Sequence, residues 1–296
     1  MLCKFVTRNH KLLSFDSTDS DVELPRGIVA IGERALAASA NLKRLHIGSN
    51  IFRIEKGAFA ACPNLLKAVI AGPVTELPAE VFAGCGNLFR ITLPESLFSI
   101  GKSAFSGCCN LEALPLPEGV TEIGPQALNG CSSLSSIDLP DGLLEIGTAA
   151  FWDCTSLKEI TLPDSVIYLG DEAFFNCTGL KWAILSQNMT SLGSKLFYGC
   201  SNLTQVVLPH KITTVGERAF WGCSSLEELS FPDGLLIIGA RAFRGCTSLH
   251  SLTLPASVFM IDDGAFQDCP QLTIHAPAGS FAEAYAKENG IPFEAV

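Results

Sequence analysis

Eleven stretches of 23 residues, opening at Leu24, Ile47, Ile70, Leu93, Leu116, Leu139, Leu162, Leu185, Leu208, Phe231 and Leu254, follow one another without insertion and repeat one pattern. A fixed period of this length makes each stretch one coil of a stack. A lone coil cannot enclose a core, and neighbouring coils bury its apolar face as continuous ladders. The fifth position is Ile, Val, Leu or Met in every row (Ile28 to Val258), the eighth is Ile, Leu or Val (Ile31 to Ile261), and the nineteenth is always Leu (Leu42 to Leu272). Phe fills the thirteenth position, with Leu36 and Leu128 the exceptions.

Within a row, Leu157-x-x-Ile160-x-Leu162 alternates as a strand does, so each row should place a short parallel strand here. Pro follows in eight rows; it has no N–H for a ladder and marks where the strand stops. Val166-x-x-Leu169-Gly170 predicts a second extended piece, ended by a glycine free to take positive φ. Ala173-Phe174 to Cys177 is too short for a full helix and predicts one helical turn. At a strand spacing of about 4.8 Å, a stack of this many coils would extend roughly 50 Å.

These residues resemble the leucine-rich-repeat superfamily and, more narrowly, its BspA type, in which Leu-Pro-x-x-Val-x-x-Ile-Gly-x-x-Ala-Phe-x-x-Cys-x-x-Leu recurs every 23 residues. The resemblance covers residues 24–276. It implies an α/β repeat solenoid with short parallel strands, a role in adhesion or host-surface interaction, and a place outside the bacterial cell or on its surface. Three rows depart from the pattern. Ser186 stands where Pro is usual and Leu196 where Ala is usual, Pro78 takes a glycine position, and Ile274 and Pro277 fall one residue early, so the last strand should be shifted.

Both ends read as caps. Phe5-Val6 and Leu12-Leu13-x-Phe15 flank a polar Arg8-Asn9-His10 turn, which predicts a hairpin. Ser280-Phe281-Ala282-Glu283 fits a capping box opening a helix through Asn289, with Gly290 as its stop. Phe281, Ala284 and Tyr285 share the helical face expected to cover the last coil, helped by Ile291 and Phe293. Residues 1–296 thus read as one complete domain: an N-terminal cap over 1–23, eleven repeats over 24–276 and a C-terminal cap over 277–296.

No apolar run reaches the length of a membrane-spanning helix. The first residues, with Lys4, Arg8, His10 and Lys11 scattered through them, lack a signal-peptide core. If Met1 is the native start the protein belongs in the cytoplasm; a removed leader would place it outside the cell, as the resemblance implies. The net charge of −10 disfavours nucleic acid as a partner. Acidic residues recur in one turn column (Glu95, Glu118, Asp141, Asp164), which fits turn chemistry and solubility more readily than calcium.

Ten of the twelve cysteines, Cys62 through Cys269, occupy the sixteenth position, filled in the first row by Ser39. One column at the strand-stacking distance suits a ladder of buried, unpaired thiols, which pack as small apolar groups. The adjacent Cys109 should point out of the core and be the reactive thiol. No paired spacing of zinc ligands, phosphate-cradling loop or dinucleotide fingerprint occurs, and His10, His46, His210, His250 and His275 are scattered. No cofactor, metal or catalytic residue is expected.

The variable positions hold the candidates. Two strand columns should face outward on an exposed sheet: Arg44, Lys67 and Arg90 make one end basic, Asp138 and Glu159 make the middle acidic, and Trp182, Ile184, Gln205 and Val207 form an apolar stretch. An exposed Trp beside branched residues can anchor a partner, or the same side chains can serve as cross-strand neighbours. Trp152, Phe175, Tyr198 and Trp221 occupy one column on four consecutive rows and predict an aromatic stripe, open to three readings: stacking, partner contact or a dimer seam. The reading favoured is a non-catalytic scaffold offering its sheet face to a protein or glycan. The alternative is a self-assembling homodimer joined through the stripe.

Overall fold

The computed structural model describes residues 4–16, 20–25 and 27–296. It is a parallel-strand solenoid that divides into two compact units, Met1–Ser156 and Leu157–Val296. The BspA-like repeat read from the sequence is the solenoid's coil.

In the first unit, the hairpin Lys4–Arg8 and Lys11–Asp16 turns at Asn9 and His10, both at positive φ. Its second strand pairs in parallel with Ala30–Ile31, aligning Leu12 with Ile31, so the N-terminal cap continues the ladder of the coils. The longer strands Asp21–Glu23, Arg44–Ile47, Lys67–Ile70 and Arg90–Thr92 form one parallel sheet with a 23-residue offset between partners. A second ladder of two-residue strands (Glu76–Leu77, Ser99–Ile100, Glu122–Ile123, Glu145–Ile146) lies on the next side of the coil.

The longer-strand sheet does not continue through every row, as the repeat led us to expect. Leu111–Leu116 and Leu134–Leu139 form no strand. Pro115 removes a ladder donor, and Ala113 and Ser136 are weak strand formers. In the first unit the exposed sheet therefore ends at Arg90–Thr92, and Asp138 lies on irregular backbone.

In the second unit the longer strands are Glu159–Thr161, Trp182–Ile184, Gln205–Val207, Glu228–Ser230, Ser251–Thr253, Thr273–Ala276 and Phe293–Ala295. The shift expected in the last row is present: Leu252 aligns with Ile274, 22 residues on. Ser186 is fully buried, and its hydroxyl donates to the Val166 carbonyl across the coil at 2.7 Å.

The segment that reads as one helical turn is a run of tight turns with two left-handed residues per coil. Arg218 and Gly222 have φ of 56° and 74°, and the same two positions are left-handed in the other rows, including at Glu172, Lys195 and Arg241. This geometry aims alternate N–H groups at the next coil. The Arg218, Phe220 and Gly222 amides donate to the Ala240, Ala242 and Arg244 carbonyls, while Trp221 and Cys223 bond three residues back. A helical turn would spend every bond within its own coil. The glycines after the second extended piece serve another purpose than positive φ: a Cβ on Gly216 would come within 2.7 Å of the Gly193 backbone of the preceding coil.

Phe side chains fill the interior as a stack, with rings of Phe197, Phe220 and Phe243 at 5.5 and 5.0 Å in the second unit and of Phe59, Phe82 and Phe105 at 5.2 and 5.7 Å in the first. The cysteine column lies beside it. Each thiol donates to the Phe-column carbonyl 26 residues earlier, as Cys223 does to Phe197 at 3.2 Å and Cys108 to Phe82 at 3.2 Å. The column therefore both fills space and satisfies a carbonyl; Ser39 in the first row bonds instead to the Leu36 carbonyl of its own coil.

The C-terminal helix spans Phe281–Glu288 with Ser280 as N-cap, and Gly290 takes the expected positive φ. Its covering face differs from the expected one. Ala282 and Ala286 are buried, one turn apart, where small side chains let the helix approach closely, and Tyr285 meets Phe266 edge-on at 5.9 Å. Phe281 is exposed at the rim. No helix among the described residues is long and apolar enough to cross a membrane.

Candidate functional site

Parallel pairing at a 23-residue offset places Trp182 beside Gln205 and Ile184 beside Val207, so the four sheet-face candidates are immediate neighbours. Glu159 flanks Trp182 on the other side. Trp182 is 45% exposed and Val207 42%, whereas the residue between Trp182 and Ile184, Ala183, is buried in the core.

The ladder breaks next to this cluster. Within the second unit, one sheet ends at Gln205–Val207 and the next begins at Glu228–Ser230. In neighbouring coils the first residue of the row donates across: Leu185 to the Val207 carbonyl at 3.1 Å, and Phe231 to the Thr253 carbonyl at 3.0 Å. Among the described residues, Leu208 makes no equivalent bond to Ser230. Core positions open with it: Val206 and Leu208 are half-exposed where Ala183 and Leu185 are buried. The result is a cleft of about 560 Å³ with Val206 and Leu229 at its floor and Trp182, Gln205, Glu227 and Glu228 at its rim. The short-strand ladder on the next side of the same coils stays intact, Thr214 aligned with Ile237.

One residue at the break departs from its column. The first position is Leu or Ile in every row except at Phe231, whose larger ring lies edge-on to Phe243 at 6.2 Å. An extra ring in a close-packed interior displaces its surroundings, and the displaced strand is the one leading into Phe231.

The aromatic stripe is formed within the second unit. Phe175 and Tyr198 stack at 4.5 Å with planes 2° apart, and Tyr198 meets Trp221 at 5.5 Å. Arg244 lies over the Trp221 ring at 4.6 Å and Arg218 at 5.5 Å. The faces of these rings are turned on one another and on guanidinium groups. Trp152, in the first unit, is half-buried.

The basic end of the sheet lies on the first unit, where Arg44 pairs with Asp21 and Lys67 sits over Phe89 at 5.3 Å. Column reading missed the cleft and also a set of apolar side chains exposed on the short-strand side: Phe52, Phe98 and Leu144 in the first unit, and Ile167, Tyr168, Phe259 and Met260 in the second. The sixth position of the row carries most of them and was the available signal.

Cys109 is exposed, whereas Cys62 through Cys246 of the thiol column are buried and Cys269 is half-buried. Burial pushes the Cys108 thiol up to about 12 and raises Cys131, Cys200, Cys223 and Cys246 well above the ordinary range. Asp164 of the acidic turn column accepts the Gln187 amide at 2.8 Å, a turn role. Among the described residues no group of three or more His, Cys, Asp or Glu is placed to hold a metal ion.

The model of the BspA type leucine rich repeat region matches residues 14–108, 75–201 and 144–273, which together take in most of the chain. The chain belongs to the BspA-type leucine-rich-repeat family. Similar solved structures include a leucine-rich repeat protein from Bacteroides ovatus, 28% identical over 100% of this chain and 98% of the other, with a TM-score of 0.52. A leucine rich cell surface protein from Faecalibacterium prausnitzii is 22% identical over 96% of this chain and 95% of its own, with a TM-score of 0.58. The pneumococcal vaccine antigen PcpA is 17% identical over 99% and 96%, with a TM-score of 0.54. The latter two establish the BspA-type fold alone. No curated protein matches the chain. As a member of this family the protein is a repeat scaffold, and its individual function lies in what its variable positions present.

Proposed function

We propose that the protein is a non-catalytic binding scaffold that captures a macromolecular partner, in the first place a protein, on the face built by Trp182, Ile184, Gln205 and Val207. The observation that carries this reading is an exposed Trp and Val beside an open ladder, where apolar floor and unbonded backbone lie together. Large aromatic anchors next to desolvatable pockets are where binding energy concentrates. Family membership supports the scaffold role, its non-catalytic character and an adhesion-type task, as does the cell-surface description of the Faecalibacterium relative.

The aromatic stripe receives a different assignment. Phe175, Tyr198 and Trp221 spend their ring faces on one another and on Arg244, which supports coil cohesion rather than a seam for a second copy. The test is capture of partner from host and self lysates by wild type and by the triple variant Trp182→Ser, Ile184→Ser, Val207→Ser. Capture should vanish while the melting temperature stays within a few degrees. Undiminished capture by the variant removes the sheet face from consideration.

A further inference from the structure

We infer that the cleft between the Gln205–Val207 and Glu228–Ser230 strands takes an extended polypeptide segment that sets a branched apolar residue next to Lys or Arg. The inference rests on the proposed binding face and names the chemistry of its partner. Its size suits such an occupant: about 560 Å³ falls within the range of pockets that hold small ligands or a few side chains.

Three features select the segment. The floor is apolar, made of Val206 and Leu229, so it rewards a branched side chain. The rim is acidic. Glu227 and Glu228 are adjacent and exposed, Glu159 stands beside Trp182, and no Lys, Arg or His lines the cleft. A cation entering here meets carboxylates first, and its stem can lie along the face of Trp182. Finally, the broken ladder leaves strand backbone on both sides without its usual partner, and an extended peptide supplies complementary N–H and C=O groups. A glycan would use the polar rim but leave the apolar floor unfilled, and an acidic segment would be repelled.

The test uses the full chain and fluorescently labelled hexapeptides alternating Arg with Val, Glu with Val, and Ser with Val, read by anisotropy at low and at physiological salt. The Arg–Val peptide should bind saturably and weaken with salt, and the Glu–Val peptide should not bind. Glu227→Gln with Glu228→Gln should lower Arg–Val affinity about three- to tenfold, as expected for loss of two exposed charge contacts. Trp182→Ser should lower it more than about tenfold. These residues are exposed, and a thermal melt of each variant verifies that it folds.

Equal binding of the three peptides overturns the inference, as does Arg–Val binding untouched by either variant. So does a sedimentation coefficient that rises with protein concentration and is restored by the two Gln substitutions, because the acidic rim would then receive a second copy. If no peptide binds yet the triple sheet-face variant still abolishes partner capture, this inference fails and the binding face stands. If the triple variant retains capture, the face itself fails.

Discussion

Raising the pH should unfold this protein within a narrow window, because the fold holds a column of thiols in their protonated form. Cys108, Cys131, Cys200, Cys223 and Cys246 are buried, and burial is the leading cause that raises each above the ordinary thiol range. In the unfolded chain such thiols ionise near about pH 8.5. Above that pH the unfolded chain sheds protons that the folded chain keeps. Stability is therefore whole below about pH 8.5 and falls as the pH climbs toward the folded-state values. Each thiol removes about 1.4 kcal/mol per pH unit in this window. At about pH 10 the loss is about 2 kcal/mol per thiol and about 10 kcal/mol for the five, comparable to the whole stability of an ordinary domain. Urea unfolding under reducing conditions, followed by circular dichroism from neutral to about pH 10, measures the effect. Cys200→Ala combined with Cys223→Ala should flatten the alkaline limb by about 2.7 kcal/mol per pH unit. A midpoint that stays level to about pH 10 would refute protonated thiols in a closed interior.

Three further outcomes follow from the packing. Phe220 is fully buried between two rings, so Phe220→Ala should cost about 3–5 kcal/mol, while Phe220→Leu, the residue that rows with Leu36 and Leu128 already use, should cost about 1–1.5 kcal/mol by urea unfolding. Among the described thiols, native-state alkylation mapped by peptide mass spectrometry should label Cys109 first, Cys269 more slowly, and the buried column only after denaturant is added. Sedimentation should give the same molecular mass for wild type and for Trp152→Ser with Trp221→Ser; a larger wild-type species lost in the variant would return the stripe to a dimer seam.

The repeat, its strand positions, the hairpin, the capped helix and the one-residue shift at Ile274 were legible because each follows from local pattern. The turn segment was not. Glu172, Lys195 and Arg241 carry no mark of the left-handed conformation they adopt. It arises because alternate amides must reach the next coil, a demand of stacking and not of residue type. Glycine was assigned the wrong reason at Gly216 for the same cause: close approach is visible only once two coils are placed together. On the candidate site, column arithmetic brought Trp182, Ile184, Gln205 and Val207 together correctly. It could not show that Val206 and Leu208 would surface, since by column both are core. That depends on how far apart two strands stand. The departure at Phe231 was in view, but its effect is a packing displacement that no single row encodes.

Amide hydrogen exchange read at single residues tests the open ladder, on which the binding face depends. Leu208 and Leu185 occupy the same position in consecutive rows, yet only Leu185 has a cross-coil partner, the Val207 carbonyl. The Leu208 amide should exchange at least about tenfold faster than that of Leu185 in the native protein. Equal protection of the two would mean a continuous sheet, with no cleft for a partner to enter.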